Sequence, residues 1–140
     1  SIICMGTPGG VGDATVLKIA TNLVTAVIVE ALAEAEAITR SKGIPAEKLL
    51  EALEPNANYS TLIGMKLPTI ISGNFEPHFS LRNMLKDTRF ALNLARDAGL
   101  EAPVLEKTVA VMARAVEAGK GDQDFSVIAE AYQSCRKSAS

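Results

Sequence analysis

Apolar and polar positions follow a helical period along most of this chain, and the densest apolar stretch lies near its beginning. The run from Val16 to Val29 is apolar enough to predict a helix buried on most of its sides. Within it, Thr15, Lys18, Asn22 and Thr25 recur at spacings of 3, 4 and 3, which aligns them as one polar stripe on an otherwise greasy rod. Asp13 is placed to cap the start and Gly43 to stop the end, so a single long helix is expected from Asp13 toward Lys42.

Shorter helices follow. Pro45 suits a first helical turn, and Ala46 to Leu53 predicts a short helix with Leu49, Leu50 and Leu53 inward. Ser60 to Lys66 and Pro68 to Ser72 are expected as two marginal helices parted by Pro68, with a loop from Gly73 to His78. Phe79 or Ser80 opens a helix through Ala98 that Gly99 ends. Leu81, Met84, Leu85, Thr88, Leu92 and Ala95 form its inward face, and Arg82, Lys86, Arg89, Asn93 and Arg96 lie on another. Pro103 begins a helix over Val104 to Ala118, stopped by Gly119, with Leu105, Val109, Met112 and Val116 inward. Asp124 or Ser126 is positioned to cap a last helix from Phe125 to about Arg136. Residues Ser1 to Gly6 read like the end of a strand, yet no partner strand follows. The expected fold class is all-α: a long central helix wrapped by about five shorter ones, apolar on enough faces to call for a companion domain or a second copy.

Composition narrows the possibilities. A chain of 140 residues, 48% of them hydrophobic, suits one domain with one core. The net charge is -2 and the basic residues are scattered, which disfavours a nucleic-acid partner. Cys4 and Cys135 lie at opposite ends with only His78 between them, so neither a metal site nor a disulfide framework is indicated, and a cytoplasmic protein is expected. The Val16 to Val29 run is short for a membrane span, carries Lys18, and passes directly into Glu30, Glu34, Glu36 and Arg40. No membrane partner is expected.

The candidate chemistry centres on the polar stripe. A lysine about one turn from a helix N-terminus, desolvated by apolar neighbours, shifts toward its neutral form and becomes a proton acceptor. The plainer reading is a lysine that snorkels to the nearest surface, with Asn22 satisfying a neighbouring carbonyl. Both stand at this point. The face with Arg82, Lys86 and Arg89 likewise reads as a solvated basic surface or as an anion-recognition surface, and His78, beside Pro77, reads as a loop histidine.

Three motifs, in order, carry a resemblance. Gly9-Gly10-Val11-Gly12 followed by Lys18 and Asn22, Phe79 through Lys86-Asp87, and Gly119 through Asp124-Phe125-Ser126 together resemble the β-hydroxyacid dehydrogenases, the group of 3-hydroxyisobutyrate dehydrogenase and, more distantly, 6-phosphogluconate dehydrogenase. The resemblance implies a helical C-terminal domain over residues 13–140, after a remnant of interdomain strand and Gly-rich turn over residues 1–12. It also implies Lys18 as catalytic acid/base, Asn22 and Gly12 as substrate-binding, and Lys86, Phe79 and Asp87 on the cofactor side. The implied cofactor is NAD or NADP, held mainly by an N-terminal Rossmann domain, and no GxGxxG-opened βαβ unit occurs in this sequence. The implied substrate is a small 3-hydroxy acid, the implied assembly a homo-oligomer, and this chain by itself is expected to be inactive. Thr21 and Ala14 depart from the family's common asparagine and glycine. The alternative is a non-catalytic helical dimerisation module of the same fold.

Overall fold

In the computed structural model, which describes residues 12–133, the chain forms α1 (Asp13–Ser41), α2 (Ala46–Leu53), α3 (Thr61–Ser72), α4 (Leu81–Asp97), α5 (Pro103–Ala115) and a C-terminal 3-10 helix (Phe125–Tyr132). The expected strand remnant and the glycines at positions 9 and 10 lie outside the described residues. Every other helix packs on α1, with α4 and the 3-10 helix contributing most, so the central-helix architecture matches the expectation. Among the described residues there is no strand, only an isolated antiparallel bridge between Ser80 and Asp124.

Helix boundaries follow local chemistry. The hydroxyls of Ser60 and Ser80 accept from the amides of Ile63 and Asn83, capping α3 and α4 at 3.3 Å in both cases. Gly43 and Gly99, where the helix stops were expected, adopt left-handed φ values of 75° and 69°. At the start of α1, Gly12 rather than Asp13 occupies the capping position, and no side chain caps it.

Other expectations meet the structure differently. Helix α3 runs unbroken through Pro68, because Ile63, Leu67 and Ile70 bury on one side of it and anchor both halves. That burial offsets a proline cost of about 3 kcal/mol. Helix α5 widens after Ala115 into a π-helical turn over Val116–Lys120, and Gly119, where the stop was expected, adopts a left-handed φ of 87°. The long apolar helix is not buried on most sides: Val16, Leu17, Val24 and Ile38 are exposed, and most of its buried positions lie from Ala26 to Glu36. Helix α1 is, by length and composition, long and apolar enough to cross a membrane, so length is no argument against a span. Its C-terminal half, though, is packed inside the protein around Ala26, Val29, Leu32 and Ala33.

The main core joins Ile19, Ala26 and Val29 of α1 to Leu81, Met84 and Leu92 of α4, Leu105 and Met112 of α5, and Val127 and Ile128, while Leu32 and Ala33 pack with Ile63, Ile70 and Ala129 in a second cluster. Two buried carboxylates of α1 face the end of the chain. Glu36 takes a bidentate bond from Arg40 at 2.7 and 2.8 Å, and Glu30 accepts from the Tyr132 hydroxyl. Burial raises the Glu30 carboxyl above the ordinary carboxylate range, and the nearby Glu34 adds to that. The Tyr132 hydroxyl is raised as well, by burial first and then by its hydrogen bond to Glu30 and the Glu30 charge.

Candidate functional site

The first turns of α1 place Lys18 and Asn22 one turn apart on a common face. Lys18 is exposed, so no group among the described residues strips water from its ammonium. The desolvation expected from the apolar sequence is absent here, because the neighbouring Val16 and Leu17 are themselves in solvent. Thr21 and Thr25 turn their hydroxyls back onto the carbonyls of Lys18 and Thr21, at 2.8 and 3.1 Å, and so present little to a ligand. Asn22 does not satisfy a neighbouring carbonyl. Its Nδ2 donates to Oδ2 of Asp87 at 2.8 Å, joining α1 to α4.

Asp87 is buried beneath that bond, whereas Lys86, one residue earlier, is exposed. Lys86 shares its face with Arg82, Arg89 and Phe90, beside a groove of about 440 Å³ with no acidic residue in its lining. Asp122 approaches that cationic row, 3.4 Å from Nε of Arg82. At Gly12 an added Cβ would meet no described residue within 4 Å.

Phe79 belongs to a second assembly that the sequence concealed. Lys66 of α3 is 5% exposed, and its Nζ bonds both carboxylate oxygens of Asp124 at 3.0 Å. Oδ2 of Asp124 also accepts the amides of His78 and Phe79, and Oδ1 accepts the amide and hydroxyl of Ser126. Burial pushes the Asp124 carboxyl up, but the Ser126 and Lys66 hydrogen bonds outweigh it and hold the group below the ordinary range. The Phe79 ring meets the Phe125 ring edge-on at 6.4 Å, and Lys66 Nζ lies 4.8 Å from the centroid of Phe125. Sequence reasoning gave Asp124 only a capping role, which it has, and left Lys66 at the end of a marginal helix. The available signal was a lone cation inside the apolar run from Leu62 to Ile71. His78 contributes its backbone amide, and its side chain is exposed.

The family model described as the NAD-binding domain of NADP-dependent 3-hydroxyisobutyrate dehydrogenase matches residues 12–132. The chain belongs to this family. Glyoxylate/succinic semialdehyde reductase 1 of Arabidopsis thaliana is 27% identical over 129 residues, covering 92% of this chain and 45% of that protein. The cytokine-like nuclear factor N-PAC of Aedes aegypti is 31% identical over 120 residues, covering 86% of this chain and 22% of that protein. The fold is that of 3-hydroxyisobutyrate dehydrogenase from Salmonella typhimurium, with a TM-score of 0.77 at 23% identity over 81% of this chain and 40% of that one. The enzyme of the same name from Mycobacterium tuberculosis gives a TM-score of 0.74 at 24% identity. The chain thus spans less than half the length of these relatives.

The 3-hydroxyisobutyrate dehydrogenase family implies a nicotinamide cofactor, and the donor set of this chain suits one. Lys86 and Arg89 are exposed cations with no carboxylate in the groove they share, and Phe90 offers an aromatic wall, chemistry that matches an anionic dinucleotide.

Proposed function

We propose that this chain is the helical domain of an NAD(P)-dependent dehydrogenase for a small 3-hydroxy acid such as 3-hydroxyisobutyrate, with Lys18 as its acid/base. The observation that carries the reading is the Asn22 to Asp87 bond. It ties the α1 stripe bearing Lys18 to Asp87 of α4, the residue after Lys86, within a chain of this family.

When bound, NAD(P) supplies the acceptor or donor of the hydride at the carbon that carries the hydroxyl. The remaining work falls to residues of this chain. Nζ of Lys18 takes the hydroxyl proton in oxidation and returns it in reduction. Asn22, with Nδ2 committed to Asp87, has its amide oxygen and second N–H left for the substrate. Gly12, with no Cβ, admits a substrate close to the helix N-terminus, where a carboxylate is favoured. Lys86 and Phe79 face the cofactor.

Because Lys18 is exposed in this chain, its cover comes from an N-terminal Rossmann domain and from a second copy of the protein, with Val16, Leu17 and Val24 as the apolar contact. The chain alone is therefore inactive. The test is turnover of a panel of 3-hydroxy acids with NAD and NADP by the natural full-length protein and by residues 1–140 alone. Lys18→Ala in the full-length protein should cut kcat by a factor of about 100 or more while leaving cofactor affinity unchanged. Turnover by residues 1–140 alone, or near-normal kcat for Lys18→Ala, would sink the reading. The likeness to a nuclear factor supports a second reading, a non-catalytic helical dimerisation module. That reading predicts no turnover by the full-length protein with any acid of the panel.

A further inference from the structure

The buried pair of Lys66 and Asp124 takes no part in the proton and hydride chemistry, yet both residues sit almost wholly out of water. Two well-packed apolar residues would often serve stability as well as such a pair, so what the pair holds in place is the informative question. Asp124 gathers main-chain donors from two segments distant in sequence, His78 and Phe79 on one side and Ser126 on the other. The main chain reinforces this juncture: the amides of Asp124 and Phe125 donate to the carbonyls of Phe75 and Phe79 at 2.9 and 3.0 Å. Lys66 acts on both ends of Phe79. Through Asp124 it fixes the Phe79 amide, and through its position over the Phe125 ring it fixes the surface against which the Phe79 ring stands at 82°.

We propose that Lys66 and Asp124 are positioning residues that set the place of Phe79 at the cofactor face. This rests on the reading that Phe79 faces the cofactor. The Asp124 carboxylate collects the loop, the Lys66 ammonium balances that carboxylate, and the stack of Lys66, Phe125 and Phe79 orients the ring. No other cation contacts Asp124 among the described residues, so neutralising Lys66 leaves a buried carboxylate uncompensated and loosens the amides it holds.

The experiment uses the natural full-length protein and titrates NADH and NADPH by their own fluorescence, alongside hydrogen–deuterium exchange of the segment containing His78 and Phe79. Lys66→Met and Asp124→Asn are each expected to raise the dissociation constant of the bound nucleotide about tenfold and to speed exchange of that segment by about the same factor. Lys66→Arg, which keeps the charge and several donors, is expected to restore both to within about threefold of the parent. Leu67→Ala removes a fully buried neighbour on the same helix, and it should lower Tm while leaving nucleotide affinity within about twofold. Phe79→Ala separates the two levels of the argument. If Phe79→Ala weakens nucleotide binding while Lys66→Met and Asp124→Asn do not, or if Leu67→Ala weakens it as much as they do, the positioning role is overturned and the site reading stands. If Phe79→Ala itself changes neither binding nor KM, the cofactor assignment of Phe79 falls and the positioning role falls with it. Should Lys66→Met fail to fold, Asp124→Asn carries its expectation, and Lys66→Arg, staying near the parent, supplies the contrast.

Discussion

The side-chain amide of Asn22 donates to the carboxylate of Asp87 at 2.8 Å, a single bond between residues 65 positions apart in sequence. It ties the exposed end of α1 to the buried side of α4. Asp87→Leu removes the acceptor and frees the Asn22 amide to rotate, so KM for the hydroxy acid should rise by an order of magnitude or more in the full-length protein, about 1.4 kcal/mol of lost binding per factor of ten. Asp87→Asn keeps an acceptor oxygen and should stay closer to the parent. Equal kinetics for Asp87→Leu and the parent would show that the bond does not orient Asn22.

Glu30 has a pH signature. Its carboxyl is raised by burial, so the folded protein holds that proton at pH values where the unfolded chain, near 4.5, has lost it. The folded state binds more protons, and stability through this group falls as pH rises from about 4.5 through the folded value. Glu30→Gln abolishes that titration and still accepts from Tyr132. Chemical denaturation at pH 5 and pH 8 should therefore show a smaller loss on going alkaline for Glu30→Gln than for the parent.

The apolar row at the start of α1 should behave as an interface. Val24 is 54% exposed, and Val24→Glu puts a charge there without disturbing the core of this chain. Sedimentation of the full-length protein should show a smaller assembly for Val24→Glu, with Tm of the dissociated subunit within a few degrees of the parent. An unchanged assembly would remove Val24 from the contact.

Met112 measures the core directly. It is fully buried at the meeting of α5 with α4, and Thr88 points its hydroxyl toward its sulfur at 3.9 Å. Met112→Ala should cost about 2–5 kcal/mol in urea unfolding with the m-value unchanged.

Residue order alone sets most of the helices and their faces. On α4, Leu81, Met84, Leu85, Thr88 and Leu92 are buried and the basic residues exposed, as the 3.6-residue period requires, because that period depends only on local geometry. It also determined the stops at Gly43 and Gly99, which need only a left-handed residue at a given place. The order of the three motifs led to the family. Tertiary structure decided what a residue meets across space. Pro68 stays inside α3 because burial on both sides of it outweighs its local cost. Lys66 is no surface lysine because Asp124, 58 residues away, neutralises it. Asn22 turns to Asp87 rather than to its own helix. Lys18 remains in water because no described part of the chain crosses the end of α1. Apolar sequence marks a surface that is to be covered, and only the packing of the other helices decides which part of it this chain covers itself.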